Sequence, residues 1–492
     1  MTPQTYAPAR DRAQRLLPAA ARHLVGRFSY GLTPALARQV RGAGGARAWF
    51  EQQLDPDSIP DAAADELRSW WPSLSRSATS IWTRQRDEVE GGWEVMADYQ
   101  RWVLLRRIRS RRQVHEMVTE LWENHFNVPA TGDAQCFWRT QYGDVVRAGA
   151  LGRFDDLLRA VTTHPAMLIS LDNVSSSSKH PNENLGRELL ELHTVGRGEY
   201  GESDVKDSAR ILTGWSVDMW STFLPHYREG WHSRGPVRVI DFTHPNADAD
   251  ATAVTRDYLT YLAHHPATAR RVARKLAVKF VSDDPSDALV EHLAQVYLEH
   301  DTEIRPVLRA LVASGEFARS AGAKVRDPGE DLVASYRALD VQVQRPPATE
   351  AGERYAANQI LWQVASIGTM PFSWPRPDGQ PIDNHSWASP ARMLASMAVH
   401  VNLAGTWWPN TGLTYRSAAW WVPHFPVRFD VLVDHLSRRI LHRPSTAQLL
   451  QACCEACDVG PRDRITRDHA VVRWNLFRLL TTFLDSPTFL TR

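Results

Sequence analysis

Two stretches of this chain combine side chains that can bind a metal or move a proton. In VHEMVTELWENHFNV, apolar residues recur at Val114, Met117, Val118, Leu121 and Trp122, and the same helical register carries His125 onto the buried face. An imidazole there must find partners, because burying it unpaired is costly. A backbone carbonyl can serve that need as well as a metal does. His115-Glu116 is not a zincin motif, since position 119 is Thr rather than a second His. In KHPNENLGRELLELHTVG, Asn182 suits a helix cap and Gly196 a helix stop. Between them Leu185, Leu189 and Leu192 form an apolar stripe, and Asn184, Arg187, Glu188 and Glu191 recur at i, i+3, i+4 and i+7 as a polar one. Two carboxylates one turn apart, beside an amide and a guanidinium, suit a hard or borderline metal or acid–base work. A solvated face with an Arg187–Glu191 pair is the plainer account of the same spacing.

Other motifs are weaker. Ser176-x-x-Lys179 has Ser–Lys spacing but lies in a serine run before Pro181. Cys454-x-x-Cys457 lacks a second pair at zinc-ribbon spacing. No Walker A loop and no GxSxG elbow occurs.

The elements that must position these residues are helices. In PATARRVARKLAVKF, Ala269, Val272, Ala273, Leu276 and Phe280 share one stripe, with Arg270, Arg271, Arg274, Lys275 and Lys279 mostly opposite. Pro266, Pro285 and Pro306 punctuate a run of short helices. A further helix is expected in YGESDVKDSARILTGW, capped by Ser203, with Trp215 at its end beside an irregular segment. Residues 216–251, with a β-like run at 237–240, and residues 368–390 are too rich in Pro and Gly for long helices and suit pocket walls. The reading is a mainly α, multi-helical body with long irregular loops and little β. Asp340–Glu353 reads as a linker, dividing a main helical domain (1–340) from a C-terminal helical region (341–492) packed on it.

Composition narrows the class. The chain is 43% hydrophobic and 23% charged, with Lys plus Arg at 57 against Asp plus Glu at 56, so nothing favours nucleic acid or an anionic membrane. The first 28 residues show no apolar signal core and no run reaches membrane-spanning length, so a cytoplasmic protein is expected. Cys136, Cys453, Cys454 and Cys457 make no disulfide framework. Nineteen tryptophans, paired at 70–71, 407–408 and 420–421, fit core packing first and an aromatic pocket second.

HPAMLISLDN (164–173), NENLGRELLELHTVG (182–196) and GESDVKDSARILTGW (201–215) resemble the bacterial family catalogued as domain of unknown function 1800. Trp122, Asn124, His125 and Phe126 meet its W-x-N-H-F pattern, and HPATARRVARKLAVKFVSDDP (265–285) and MPFSWPRPDGQP with Trp387 match further segments. The likeness runs from about Ala21 to Leu484; where relatives often carry His then Asp, this chain has His244-Pro245. The resemblance implies a helical fold and no particular reaction. Many relatives are exported, in contrast to the expectation from this N-terminus.

The combined expectation is a metal-dependent enzyme of oxygenase or oxidoreductase type, acting on a small molecule or peptide. His125, Glu188 and Glu191 would hold a divalent iron or manganese. Asn184, Arg187 and Glu188 would serve catalysis, and Trp122, Asn124 and Trp215 would contact the cofactor. Metal-assisted hydrolysis, a haem enzyme with His125 or His193 axial, and a non-catalytic binding or assembly protein with a protein partner are the alternatives.

Overall fold

The computed structural model describes residues 15–132 and 134–492. The reading of an absent export signal rests largely on residues 1–14, which lie outside the described residues. Twenty-six α-helices make the described chain mainly α, about 60% helical, and strands contribute 5%. The strands form four two-stranded antiparallel ribbons, two of them, Trp215–Val217 with Pro225–Tyr227 and Val237–Val239 with Phe242–His244, in the irregular segment after residue 215. Among the described residues no helix is long and apolar enough to cross a membrane.

The centre of the body is the Gln113–His125 helix, in which eleven of thirteen residues are buried. Its apolar stripe is buried as the spacing requires: Val114, Met117, Val118 and Trp122 are 0% exposed and Leu121 is 1%. The opposite face is buried too, which amphipathic spacing does not anticipate. Glu116, Glu120 and Glu123 line that face at i, i+4 and i+7 and each meets a cation. Glu116 lies 2.6 Å from Arg106 and 2.7 Å from Arg147, Glu120 lies 2.8 Å from Arg107, and Glu123 lies 3.6 Å from Arg139. A buried carboxylate persists only when paired in this way.

The Pro266–Phe280 helix begins at a first-turn proline and is capped by the His265 side chain. Its predicted stripe is buried, but so is Lys279, and Lys275 is only half exposed. This helix packs on Asp287–Glu299, which packs in turn on Ile304–Ala313. Where it ends, the buried Arg27 guanidinium donates to the carbonyls of Phe280 (3.0 Å), Val281 (2.7 Å), Ser320 (2.6 Å) and Arg492 (2.7 Å), satisfying acceptors from three segments.

One hydrophobic core runs from Leu17 to Phe489 without a break at residue 340. The Pro328–Ala338 helix packs on Pro390–Ala404, and Gly92–Arg109 packs on Ala356–Ile367. Between the first two, Asp331 is 0% exposed and accepts from Arg392 (3.0 Å), Ser396 (2.7 Å) and His400 (3.2 Å). His400 also pairs with Asp485 at 2.7 Å. Burial alone would depress the His400 pKa, but the two carboxylates outweigh it and push it up to about 9.

Candidate functional site

His125 and His193 face one another at the heart of the molecule, 1% and 2% exposed. His125 ends the central helix. His193 ends a π-helical turn, Leu189–His193, that continues the Glu183–Glu188 helix. The turn changes the expected apolar stripe, while Asn184, Arg187, Glu188 and Glu191 all stay half-buried. Its i→i+5 bonding inserts an extra residue, so Leu189, Leu190 and His193 face inward and Leu192 is only half-buried. Its freed carbonyls are capped locally: Thr194 Oγ1 donates to Leu189 O (2.6 Å), Gly196 N to Leu190 O (2.8 Å) and Arg271 Nε to Leu192 O (3.1 Å). Gly196 has φ +94° and lies against the Arg271 guanidinium, so this helix stop needs a glycine both for its backbone and for the close approach.

The two histidines bond reciprocally to each other's backbone. His125 Nε2 lies 3.0 Å from His193 O, and His193 Nδ1 lies 3.0 Å from His125 O. A carbonyl only accepts, so these nitrogens carry the protons and the tautomers are fixed. The remaining nitrogens, His125 Nδ1 and His193 Nε2, are buried, unprotonated and without a partner among the described residues. Burial first, then Lys275, depresses both pKa values, that of His193 to about 3, so both rings are neutral at pH 7. Aromatic rings fix the pair: Phe126, Trp122 and Phe154 stand 4.5, 5.7 and 5.9 Å from the His125 centroid.

Lys275 belongs to the same centre. It keeps some accessible surface but is enclosed by protein, and no hydrogen-bond or ion-pair partner meets it among the described residues. Burial, then the neighbouring Arg271, pushes its pKa down to about 7, with Asp378 opposing. Glu188 is half-buried and likewise lacks a hydrogen-bond partner. Burial, then Glu191, raises its pKa; Asp378 adds to this, while Arg187 opposes.

Several expected residues serve elsewhere. Glu191 is bound by Arg197 (2.5 Å) and by the Tyr200 hydroxyl (2.8 Å), and its pKa is lowered by the tyrosine first. Arg187 pairs with Glu202 at 2.7 Å and Glu183 at 3.4 Å rather than with Glu191. Asn184 Nδ2 reaches Leu171 O at 3.4 Å, and its amide N–H is held by the Asn182 cap. Trp122 donates to Ala150 O (2.9 Å), and Trp215 donates to Thr255 Oγ1 (3.1 Å) beside the first ribbon. Asn124 faces a cleft of about 10 Å³ with Gln380, room for no more than a water. The helix expected to be capped by Ser203 starts two residues earlier, with Gly201 at the cap position and its N–H donating to Asp204. Gly196–Gly201 spells G-x-G-x-x-G, but it follows a helix rather than a strand and so is not a dinucleotide loop. Cys453 and Cys457 are buried with raised pKa values, as inert thiols should be.

Among the described residues, one set of three or more potential ligand atoms lies within 4.8 Å: Glu120, Asp327 and Glu330. His125, Glu188 and Glu191 are not gathered in that way. The acidic set is already neutralised. Lys279 Nζ lies 2.8 Å from Glu330, 3.6 Å from Asp327 and 3.8 Å from Glu120; Arg492 lies 2.7 Å from Glu330, and Arg107 pairs with Glu120. An ammonium stands where a cation would sit.

The loop after residue 368 closes over the end of the central helix. Asn127 Nδ2 donates to Trp374 O (3.0 Å) and Arg376 O (2.7 Å), and Ala130 N to Phe372 O (2.6 Å). Gly379, at φ +76°, lies so close that a Cβ would stand 1.9 Å from Asn124 O. Gly379→Ala is therefore expected to lift the loop and destabilise the protein by roughly 1–3 kcal/mol or more. Thermal melts and protease sensitivity around residue 379 check this; an unchanged melt and cleavage pattern would refute the close packing.

A family model described as "Protein of unknown function (DUF1800)" matches residues 23–491. No curated protein and no solved structure matches the chain.

Proposed function

Because the chain belongs to the DUF1800 family, whose description names no reaction, we propose from the site itself that it is a metal-dependent enzyme centred on His125, His193 and Glu188. The observation that supports this is the pair of reciprocal carbonyl bonds, which leaves two buried imidazole lone pairs bare. A ligating histidine typically donates its other N–H to a carbonyl in this way. With Glu188 as third ligand, the set is two imidazoles and one carboxylate with open positions, which suits divalent iron or manganese and oxidative chemistry, with hydrolysis as the lesser choice. Glu188 stands outside ligand range of a common ion with both rings and swings inward in this reading. Glu191 drops out, being held by Arg197 and Tyr200. A haem fits less well, because aromatic rings already pack within 6 Å of His125.

The test is metal analysis of protein purified without chelator, with circular dichroism as the folding check. About one metal per chain is expected, lost in His125→Gln and His193→Gln, weakened in Glu188→Gln and unchanged in Glu191→Gln. Metal retained by folded variants of both histidines would overturn the reading. Lys275 and Arg271 favour a second one, in which the Lys275 amine, with its pKa pushed down to about 7, acts as general base on an anionic substrate without metal and the histidines position it. It is favoured by metal-free protein whose activity still depends on His125 and Lys275.

A further inference from the structure

At the other end of the central helix lies a cavity of about 640 Å³, the size of a small-molecule site. His125 lies twelve residues along the helix from Gln113 in the cavity wall, about 18 Å at ~1.5 Å per residue, so the two are distinct places. Six arginines line it: Arg38, Arg109, Arg111, Arg337, Arg416 and Arg439. Asp340 is the one carboxylate in the wall, and it is taken by Arg416 at 2.6 Å.

Among the described residues the other five guanidinium groups make no ion pair; Glu66 acts on Arg109 and Asp340 on Arg439 only at longer range. Arg337 donates to Ile108 O (2.8 Å), Arg109 to Val343 O and Arg111 to Pro60 O (3.5 Å), carbonyls that satisfy hydrogen bonds and leave the charge. Arg38 has no hydrogen-bond or ion-pair partner among the described residues, and Arg439 stacks on Trp420, 3.5 Å from its centroid, and lies 5.6 Å from that of Trp421. Burial lowers the Arg439 pKa, and Arg416 and Arg38 lower it further against Asp340, which places both guanidinium groups within electrostatic reach of Arg439. The positive end of the Pro34–Gly42 helix points the same way, since Thr33, Pro34 and Ala35 line the wall.

We propose that this cavity binds an oligoanionic small molecule, a phosphate ester or a polycarboxylate with at least two negative charges. Like charges crowded into a partly desolvated cavity repel one another, and a ligand that spans Arg38 and Arg439 relieves that repulsion. Guanidinium forks match phosphate and carboxylate oxygens equally in geometry. The excess charge, and not the shape, selects the ligand class.

Isothermal titration of the full chain with pyrophosphate and with citrate at low ionic strength tests this. Saturable one-site binding is expected for at least one probe, weakened by salt. Pyrophosphate the tighter assigns a phosphate ligand, and citrate the tighter a polycarboxylate. Arg38→Gln, at an exposed position that leaves packing intact, is expected to weaken binding about 10-fold, and Arg38→Gln/Arg439→Gln to abolish it. Arg354→Gln, exposed and outside the cavity, is expected to bind as wild type. No saturable binding of either probe, or undiminished binding by Arg38→Gln, overturns the proposal.

Discussion

Lys279→Met is expected to unfold the protein at neutral pH, or to leave it close to its melting point. Lys279 is 3% exposed and is the shared counter-ion of Glu120, Asp327 and Glu330. Without it Glu120 keeps Arg107 and Glu330 keeps Arg492, so the carboxylate left without an ion pair among the described residues is Asp327, which keeps the Glu330 N–H and the more distant Arg107 and Arg326. Burial already pushes the Asp327 pKa up even with the lysine present, and Glu330 adds to this. Removing one partner of a buried pair costs about 3–5 kcal/mol, against a total stability of roughly 5–15 kcal/mol for a folded domain.

The sign of the pH dependence follows from that raised value. A carboxyl whose folded pKa lies above its unfolded one stabilises below the unfolded value and loses that contribution as pH rises through the folded value. Lys279→Met should therefore melt higher as pH falls from 8 toward 6, because losing the lysine lifts the Asp327 pKa further above the value of about 6 that it has beside the lysine. Lys279→Met/Asp327→Asn should recover much of the loss at every pH, because asparagine keeps the oxygen that caps the Pro328–Ala338 helix. Melts at several pH values read both effects. A Lys279→Met variant within ~2 °C of wild type at pH 8 would show that the cluster carries no buried charge.

The same lysine marks how far the sequence could be read. The apolar stripe of Pro266–Phe280 was legible because burial of one face imposes its period. The opposite face of a helix in a large body need not meet water, and nothing in the period says so. Thus Lys275 and Lys279 looked like solvent-facing residues. The central helix behaves alike: His125 was placed on the buried side, but Glu116, Glu120 and Glu123 are buried by arginines of the helices that flank it in sequence. Ion pairing between neighbouring helices leaves no trace in the period of either one. The Leu189–His193 turn is a different kind of failure. Extrapolating α-helical spacing through it put Leu192 on the apolar stripe, and the π-turn turned Leu190 and His193 inward instead. The partner of His125 was on the same segment, one register away. Family motifs did enclose the right pieces, since His125, His193, Lys275 and the loop at Gly379 all fall inside quoted matching segments. What they could not supply was which side chains converge.

Lys275 is expected to react with an amine reagent at pH 7 before any other lysine. The chain has five lysines against fifty-two arginines, so peptide mapping resolves each one. Lys279 and Lys324 are buried in ion pairs, whereas Lys179 and Lys206 are exposed. With its pKa near 7, about half of Lys275 is neutral at that pH, against well under 1% for an ordinary lysine near 10.4. That is a ~1000-fold advantage in reactive amine, from which lower intrinsic nucleophilicity and partial burial subtract, leaving a lead of about 10-fold or more over Lys179. Labelling of Lys275 no faster than Lys179 would refute the depressed pKa. Two substitutions then separate what the neutral form does from what the amine does. Lys275→Arg fixes a permanent cation beside two bare imidazole nitrogens and is expected to expel a bound divalent metal. Lys275→Met keeps the neutral charge state and is expected to retain the metal. If both variants bind metal equally, the lysine charge plays no part at the histidine centre; if both lose it, the amine itself is needed there.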